Sequence, residues 1–184
     1  MAGKIRVGKN FGGINYFARM AQNPSYLATV VNEVAKLPLE DTSDTSRILP
    51  FEIEDKITYN NVIEYKRIIN DYAFYSTLIH NTYESISETN PNIRDRIMKQ
   101  VNRKYDKYKF QMIRENMGES ISQAITKNGD IIIEKVLSAL RDQLYDSVNF
   151  DNEISIEDME MALEIIIGDA FVNCKILENP TPLN

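Results

Sequence analysis

The sequence predicts an all-α protein, a helical bundle of about five helices around a buried C-terminal helix, with a short extended Gly-rich N-terminal arm. Three observations lead to this prediction. Residues 155–177 are apolar over most of a helical circumference, which is typical of an interior helix. Two other long segments, 60–87 and 90–116, repeat apolar residues at steps of three and four. Asn-Pro pairs at 23–24 and 90–91 are typical helix starts.

Residues 1–22 are predicted to form the extended arm, and residues 23–184 the helical bundle domain. The arm is rich in glycine, and its stretch Gly3–Lys9 fits most of the phosphate-binding pattern G-x-x-x-x-G-K. That loop needs a preceding strand, a Ser or Thr after the lysine and a following helix. Because Asn10 follows the lysine instead, we favour an arm that pairs at an edge over a nucleotide site.

The first predicted helix starts at Asn23, which would cap it ahead of a proline, and runs to about Leu37. Residues 40–47 are polar and are predicted to form a linker. Residues 50–57 alternate loosely between apolar and acidic side chains, so we predict a short extended segment there.

The longest predicted helix spans residues 60–87. Its apolar stripe is wider than two positions in seven, which favours an antiparallel bundle over a free two-stranded coiled coil. His80 lies late in this helix and is the single histidine of the chain. A ligand or base needs partner groups, so we interpret this histidine as a surface or hydrogen-bonded residue.

The next helix, which is predicted to start at Asn90-Pro91 and to run to about Asn116, is apolar on one side and strongly basic on the other. Residues 94–114 hold eight basic and two acidic side chains, so this segment carries +6 while the whole chain carries −6. At about 100° per residue, one row of cations projects from the polar side, with Phe110 beside it. We call the following residues the basic row: Arg96, Lys99, Arg103, Lys107 and Arg114.

Three interpretations of the basic row stay open. A solvated helix face is the simplest, because charge runs on helices are usually solvated. The row would otherwise meet an anionic partner, either the backbone of a nucleic acid or an acidic protein surface. Contact with phosphates would be salt-dependent and indifferent to base sequence.

The C-terminal third contains two more predicted helices. Residues 117–128 are weakly patterned, and Asp130 is predicted to cap a helix that runs to about Val148. The last helix is predicted to start at Ser155, with Asp158 completing a variant of the capping box. It leaves a narrow acidic stripe and a polar notch, formed by Glu157, Glu160, Glu164, Asp169 and Asn173.

Composition excludes several classes of protein. No uncharged apolar run approaches the length of roughly 18 residues that spans a bilayer, and the first ten residues lack the apolar core expected of a secretory signal. The single cysteine, Cys174, lies on the apolar arc of the last predicted helix, which suits a reducing compartment. We therefore expect a cytoplasmic protein without a membrane contact.

Catalytic, metal and cofactor motifs are absent from the sequence, so we predict no enzyme, no metal ligands and no cofactor. One weak alternative is a metal-dependent nuclease that uses Asp41, Glu54 and Lys56. Such a site needs carboxylates on neighbouring strands that converge on magnesium. No second convincing strand lies nearby, so a solvated charged turn is favoured.

Three stretches together resemble the C-terminal domain found in bacterial ABC-three component systems, which are predicted anti-phage defence modules. These stretches are Glu54–Tyr72, Asn92–Tyr105 and Asp169–Pro180, and the last is the most specific through its order of aspartate, aromatic residue, Cys-Lys and proline. The resemblance covers residues 48–182.

The resemblance implies an all-helical domain without known chemistry. In that family the domain usually follows an effector such as a nuclease or protease, and it is thought to attach that effector to a middle component and an SMC-like ATPase. Since only residues 1–47 precede the resemblance, we expect a free-standing, non-catalytic adaptor in an oligomeric defence complex. A nucleic-acid-binding protein that uses the basic row remains the alternative.

Overall fold

The computed structural model describes residues 23–38, 51–173 and 175–180. Within these ranges the chain is all-helical, as predicted, and forms no strand. Predictions for the Gly-rich arm, Asp41 and Cys174 lie outside the described residues. The described helices are α1 (Tyr26–Val34), α2 (Phe51–Tyr59), α3 (Lys66–Ser87), α4 (Ile93–Glu115), α5 (Ile121–Thr126), α6 (Gly129–Tyr145) and α7 (Ile156–Val172).

Helix α7 is the centre of the bundle, as its apolar circumference predicts. It packs against α1, α3, α4 and α6, and every residue from Ile165 to Phe171 is buried. Ser155 caps it, since its hydroxyl accepts a hydrogen bond from the Asp158 amide at 3.0 Å. None of the described helices is long and apolar enough to cross a membrane.

The end of α7 comes earlier than predicted. The helix ends at Val172 rather than Leu177, and the Lys175 amide turns back to donate to the Ala170 carbonyl at 2.8 Å. Ile176 and Leu177 are nevertheless buried, so they join the core from an irregular segment. Apolar spacing therefore identified core residues here but not the end of the helix.

The prediction of an extended segment at residues 50–57 is wrong, because this stretch begins α2. Glu52 and Glu54 lie in its first turn, where acidic side chains stabilise the positive end of a helix. Ile53 and Ile57 are four residues apart, and Ile57 is buried. In a short run, a spacing of four residues fits both the period of a helix and that of a strand, so packing decided in favour of the helix.

Residues 60–65 form a corner rather than the predicted first turn of α3. Asn61 adopts a left-handed conformation with φ of 49°, which asparagine tolerates better than most residues. Asp130, predicted to cap its own helix, instead accepts hydrogen bonds from the amides of Ile63 and Glu64 at 3.0 and 3.2 Å. A distant carboxylate thus holds the corner, which no local pattern shows.

Other helix boundaries also differ from the predictions, and one helix was not predicted. Helix α1 starts after Ser25, whose hydroxyl accepts from the Leu27 amide, and not after Asn23. Helix α4 starts after Asn92, two residues beyond the predicted Asn-Pro start. Helix α5 was missed, although Ser120 and Gln123 form a complete capping box that the sequence contains.

Candidate functional site

The basic row lies on the solvent side of α4. All five of its side chains are exposed, whereas the opposite side of the helix is buried in the core. The buried side is formed by Ile93, Ile97, Met98, Val101, Tyr105 and Met112. The helical spacing therefore places the row as expected, and α4 presents it without any contribution from a loop.

Three other basic side chains of α4 turn inward and hold the fold together. Arg94 forms an ion pair with Asp169, and Lys109 pairs with Glu178 at 2.5 Å. Lys104 donates to the Ala139 carbonyl at 3.0 Å. The cationic surface that a partner meets is therefore smaller than the net charge of the segment indicates.

A groove runs beside the N-terminal half of the basic row. It has a volume of about 710 Å³ and lies between α4, α6 and the start of α1. Arg96, Lys99 and Arg103 line one wall, while Asp142 and Asp146 line the other. We call this feature the mixed-charge groove. Sequence reasoning missed it, because its two walls come from helices that are distant in the chain.

Hydrogen bonds between elements fix the groove. The Lys104 ammonium joins α4 to α6, and burial lowers the pKa of this lysine, with Lys107 adding to the effect. Gln143 of α6 donates to the Ser25 hydroxyl at 3.1 Å and so ties the wall to the cap of α1. The walls are consequently held in place before any ligand arrives.

Arg96 is itself held in position within the groove. Its Nη1 donates to the Tyr26 hydroxyl at 2.8 Å, and its guanidinium carbon lies 4.7 Å from the centre of that ring. Tyr26 remains 44% exposed, so the stacked pair is reachable from solvent. A cation over an aromatic face loses little further freedom when it meets an anion.

Lys107 and Arg114 continue the row beyond the groove. The Lys107 ammonium lies 5.1 Å from the centre of the Tyr108 ring, and Arg114 donates to the Phe110 carbonyl at 3.4 Å. Phe110 is 60% exposed beside them. Neither Lys107 nor Arg114 lines the mixed-charge groove.

Asp169 belongs to the polar notch that the sequence predicts on the last helix, and the structure buries it. The residue is fully buried, although Asn173 of the same notch is exposed. Arg94 donates two hydrogen bonds to the Asp169 carboxylate, at 2.6 and 3.2 Å. The Tyr72 hydroxyl donates a third at 2.7 Å and the Asn173 amide a fourth, also at 2.7 Å. These partners compensate a charge that burial would otherwise make costly.

The C-terminal segment is fastened to the bundle through Glu178. The Asn60 side chain donates to the Glu178 carbonyl at 2.7 Å and accepts from the Glu178 amide at 3.0 Å. Burial raises the pKa of the Glu178 carboxyl, but hydrogen bonds from Lys109 and Tyr105 outweigh it and leave the pKa lowered. The hydrogen bonds between Asn60 and Glu178 thus join the corner at residues 60–65 to the C-terminal segment.

Tyr83 supplies a prediction on pH. Burial, together with nearby Asp169, raises the pKa of this phenol well above its ordinary value of 10.0. The stability that depends on the neutral phenol is fully present below about pH 10 and is lost as pH rises above that value. Among the described residues its hydroxyl has no hydrogen-bond partner. Tyr83→Phe should therefore keep stability at neutral pH and weaken the alkaline loss, measured by urea unfolding. Identical alkaline slopes in both proteins would contradict this.

The described residues of the nuclease alternative do not converge. Glu54 is half-exposed and pairs with Lys66 at 3.1 Å. Lys56 is buried and donates to the Phe171 carbonyl at 2.8 Å. His80 lies on the surface within 3.2 Å of Glu84. No group of metal-ligating side chains occurs within the described ranges. The chemistry that the groove offers is ion pairing and hydrogen bonding.

The fold and the groove define a class of protein: an all-α domain whose exposed charged side chains can bind another molecule. The chain belongs to the family of C-terminal domain 10 of the ABC-three component (ABC-3C) systems, whose model matches residues 25–178. This confirms the resemblance and extends it toward the N-terminus to include α1. Membership in this family suggests a role in an anti-phage defence system, and it implies protein partners. No curated protein and no solved structure matches the chain.

Proposed function

We propose that the chain is a non-catalytic adaptor that docks another component of its defence system in the cytoplasm. The partner is the SMC-like ATPase, the middle component or an effector. One observation carries this proposal: five basic side chains stay exposed on α4 while three others of the same helix are used inside the fold. A row left outside in this way is available for a partner.

Electrostatics supports docking in one orientation. The chain carries −6 overall, but residues 94–114 carry +6, so the rest carries −12. A basic surface on an acidic protein attracts an acidic partner to one side and repels it from the others. Complementary charge of this kind determines the rate and register of association more than the affinity.

Nucleic-acid binding through the basic row is the second candidate function. The exposure of all five cations favours it, since phosphate contacts need reachable charge. It predicts binding to DNA or RNA that weakens steeply between about 50 and 200 mM salt and does not depend on base sequence.

Reversing two charges of the row tests docking. Arg103→Glu/Lys107→Glu should weaken binding to the co-expressed partner by about tenfold or more, because like charges then face each other. The matched control is Lys36→Glu/Lys66→Glu, which changes net charge equally at two exposed positions, one just after α1 and one at the start of α3. Binding is measured by calorimetry with the purified components of the same system.

The control separates local from general effects. If both double variants weaken binding equally, the net charge matters and the basic row does not dock the partner. If neither does so, the adaptor proposal through this row is wrong. Binding of a DNA duplex at low salt that Arg103→Glu/Lys107→Glu abolishes would favour the nucleic-acid candidate instead.

A further inference from the structure

The two walls of the mixed-charge groove carry opposite charges. Arg96, Lys99 and Arg103 lie on α4, Asp142 lies on α6 and Asp146 is the C-cap residue of α6, and all five side chains are exposed. The Lys104 hydrogen bond ties the wall of α4 to that of α6, and the Gln143 hydrogen bond ties α6 to the cap of α1. A ligand that fills the groove must therefore satisfy cations on one side and carboxylates on the other.

This arrangement disfavours a nucleic-acid backbone. Phosphates placed against the three cations would also lie beside Asp142 and Asp146, and the like charges would repel. A site for a polyanion would be expected to lack carboxylates. A polypeptide avoids the conflict, since one segment can carry both acidic and basic side chains.

The spacing of the walls favours a helical segment. The cations recur at steps of three and four along α4, and the two carboxylates are four residues apart on α6. A second helix laid alongside has the same rise of about 1.5 Å per residue, so its charges at steps of three and four stay in register. The stacked, hydrogen-bonded Arg96 lowers the entropy lost on binding.

We propose that the mixed-charge groove binds a helix of a partner protein that carries an acidic stripe beside a basic one. The acidic stripe pairs with the wall of α4, and the basic stripe pairs with Asp142 and Asp146. This inference rests on the proposed adaptor function and deepens it by naming the chemistry of the partner. It also gives a role to the carboxylates of Asp142 and Asp146, which take no part in docking through the basic row alone.

The decisive variant reverses the acidic wall. Asp142→Lys/Asp146→Lys should weaken binding to the purified components of the same system by about tenfold or more, since the basic stripe of the partner then meets lysines. The control is Glu84→Lys/Glu88→Lys, which has the same spacing and the same charge change. Asp146 and Glu88 are both C-cap residues, and each pair is exposed. Helical content by circular dichroism verifies that every variant folds.

Titration of each protein with a DNA duplex of about 20 base pairs and measurement of its own oligomeric state complete the test. The expected result is that the Asp142→Lys/Asp146→Lys variant binds the partner more weakly, whereas the Glu84→Lys/Glu88→Lys control binds it as the wild type does. A wild-type protein that binds DNA in preference to those components, or a dimer that the reversal breaks, would overturn the proposal. If the partner binds the wild type and the Asp142→Lys/Asp146→Lys variant equally, the groove proposal fails while the adaptor function stands. If the wild type binds no component at all, both fail.

Discussion

Arg94→Met is expected to lower the free energy of unfolding by about 3–5 kcal/mol, because it leaves the buried carboxylate of Asp169 without its cation. Asp169 is fully buried, and two of the four hydrogen bonds that its carboxylate accepts from described residues come from this arginine. The remaining bonds, from Tyr72 and Asn173, are not from cations. Urea unfolding followed by circular dichroism measures the loss.

Arg96→Met is the matched control, since it makes the same substitution two residues further along α4. Arg96 is exposed and contacts Tyr26, so this change should cost less than about 1 kcal/mol. The double variant Arg94→Met/Asp169→Leu should recover much of the loss, because it removes the buried carboxylate together with its cation. Equal losses for the two arginines would show that the ion pair does not stabilise the fold.

Gly168→Ala is expected to lower the free energy of unfolding by about 1–3 kcal/mol, although alanine is the better helix former by about 1 kcal/mol. A Cβ at this position would lie 2.5 Å from the Tyr72 Cβ and 3.2 Å from the Ile68 carbonyl oxygen. A Cβ is fixed by the backbone, so α3 and α7 would have to separate. The same urea experiment measures the change.

Glu157→Ala serves as the control for Gly168→Ala. It places alanine in the exposed first turn of α7, where little packing changes. We expect a change within about 0.5 kcal/mol. Stabilisation by Gly168→Ala would mean that helix propensity outweighs the close approach of α3 and α7, and that these helices can move apart without cost.

Long helices with one clear period were predictable from the sequence. The apolar circumference of α7 identified the central helix, and the spacing of apolar residues in α4 placed the basic row on the opposite side. Short elements were not predictable in the same way. Helix α2 has few residues and a spacing that fits either period, so its packing had to decide. Helix α5 carried a capping signal that could have been found.

The candidate site was predictable only in part. Periodicity separates the exposed basic side chains of α4 from its buried apolar ones. It does not show that Arg94, Lys104 and Lys109 turn toward partners on other elements. Those partners are Asp169, Ala139 and Glu178, and each lies more than 30 positions away along the chain. Side-chain pairing at that range depends on the packed fold.

The sequence by itself determined the helical class, the buried C-terminal helix, the exposed row of cations and the family. The first three follow from composition and from local period, which adjacent residues carry together, whereas the family follows from the resemblance of three stretches to a known domain. Only the tertiary structure decided that Asp169 is a buried ion-pair partner and that an acidic wall faces the basic row. The physical reason is that both features need two helices brought side by side, and their relative placement is set by the packing of the whole core.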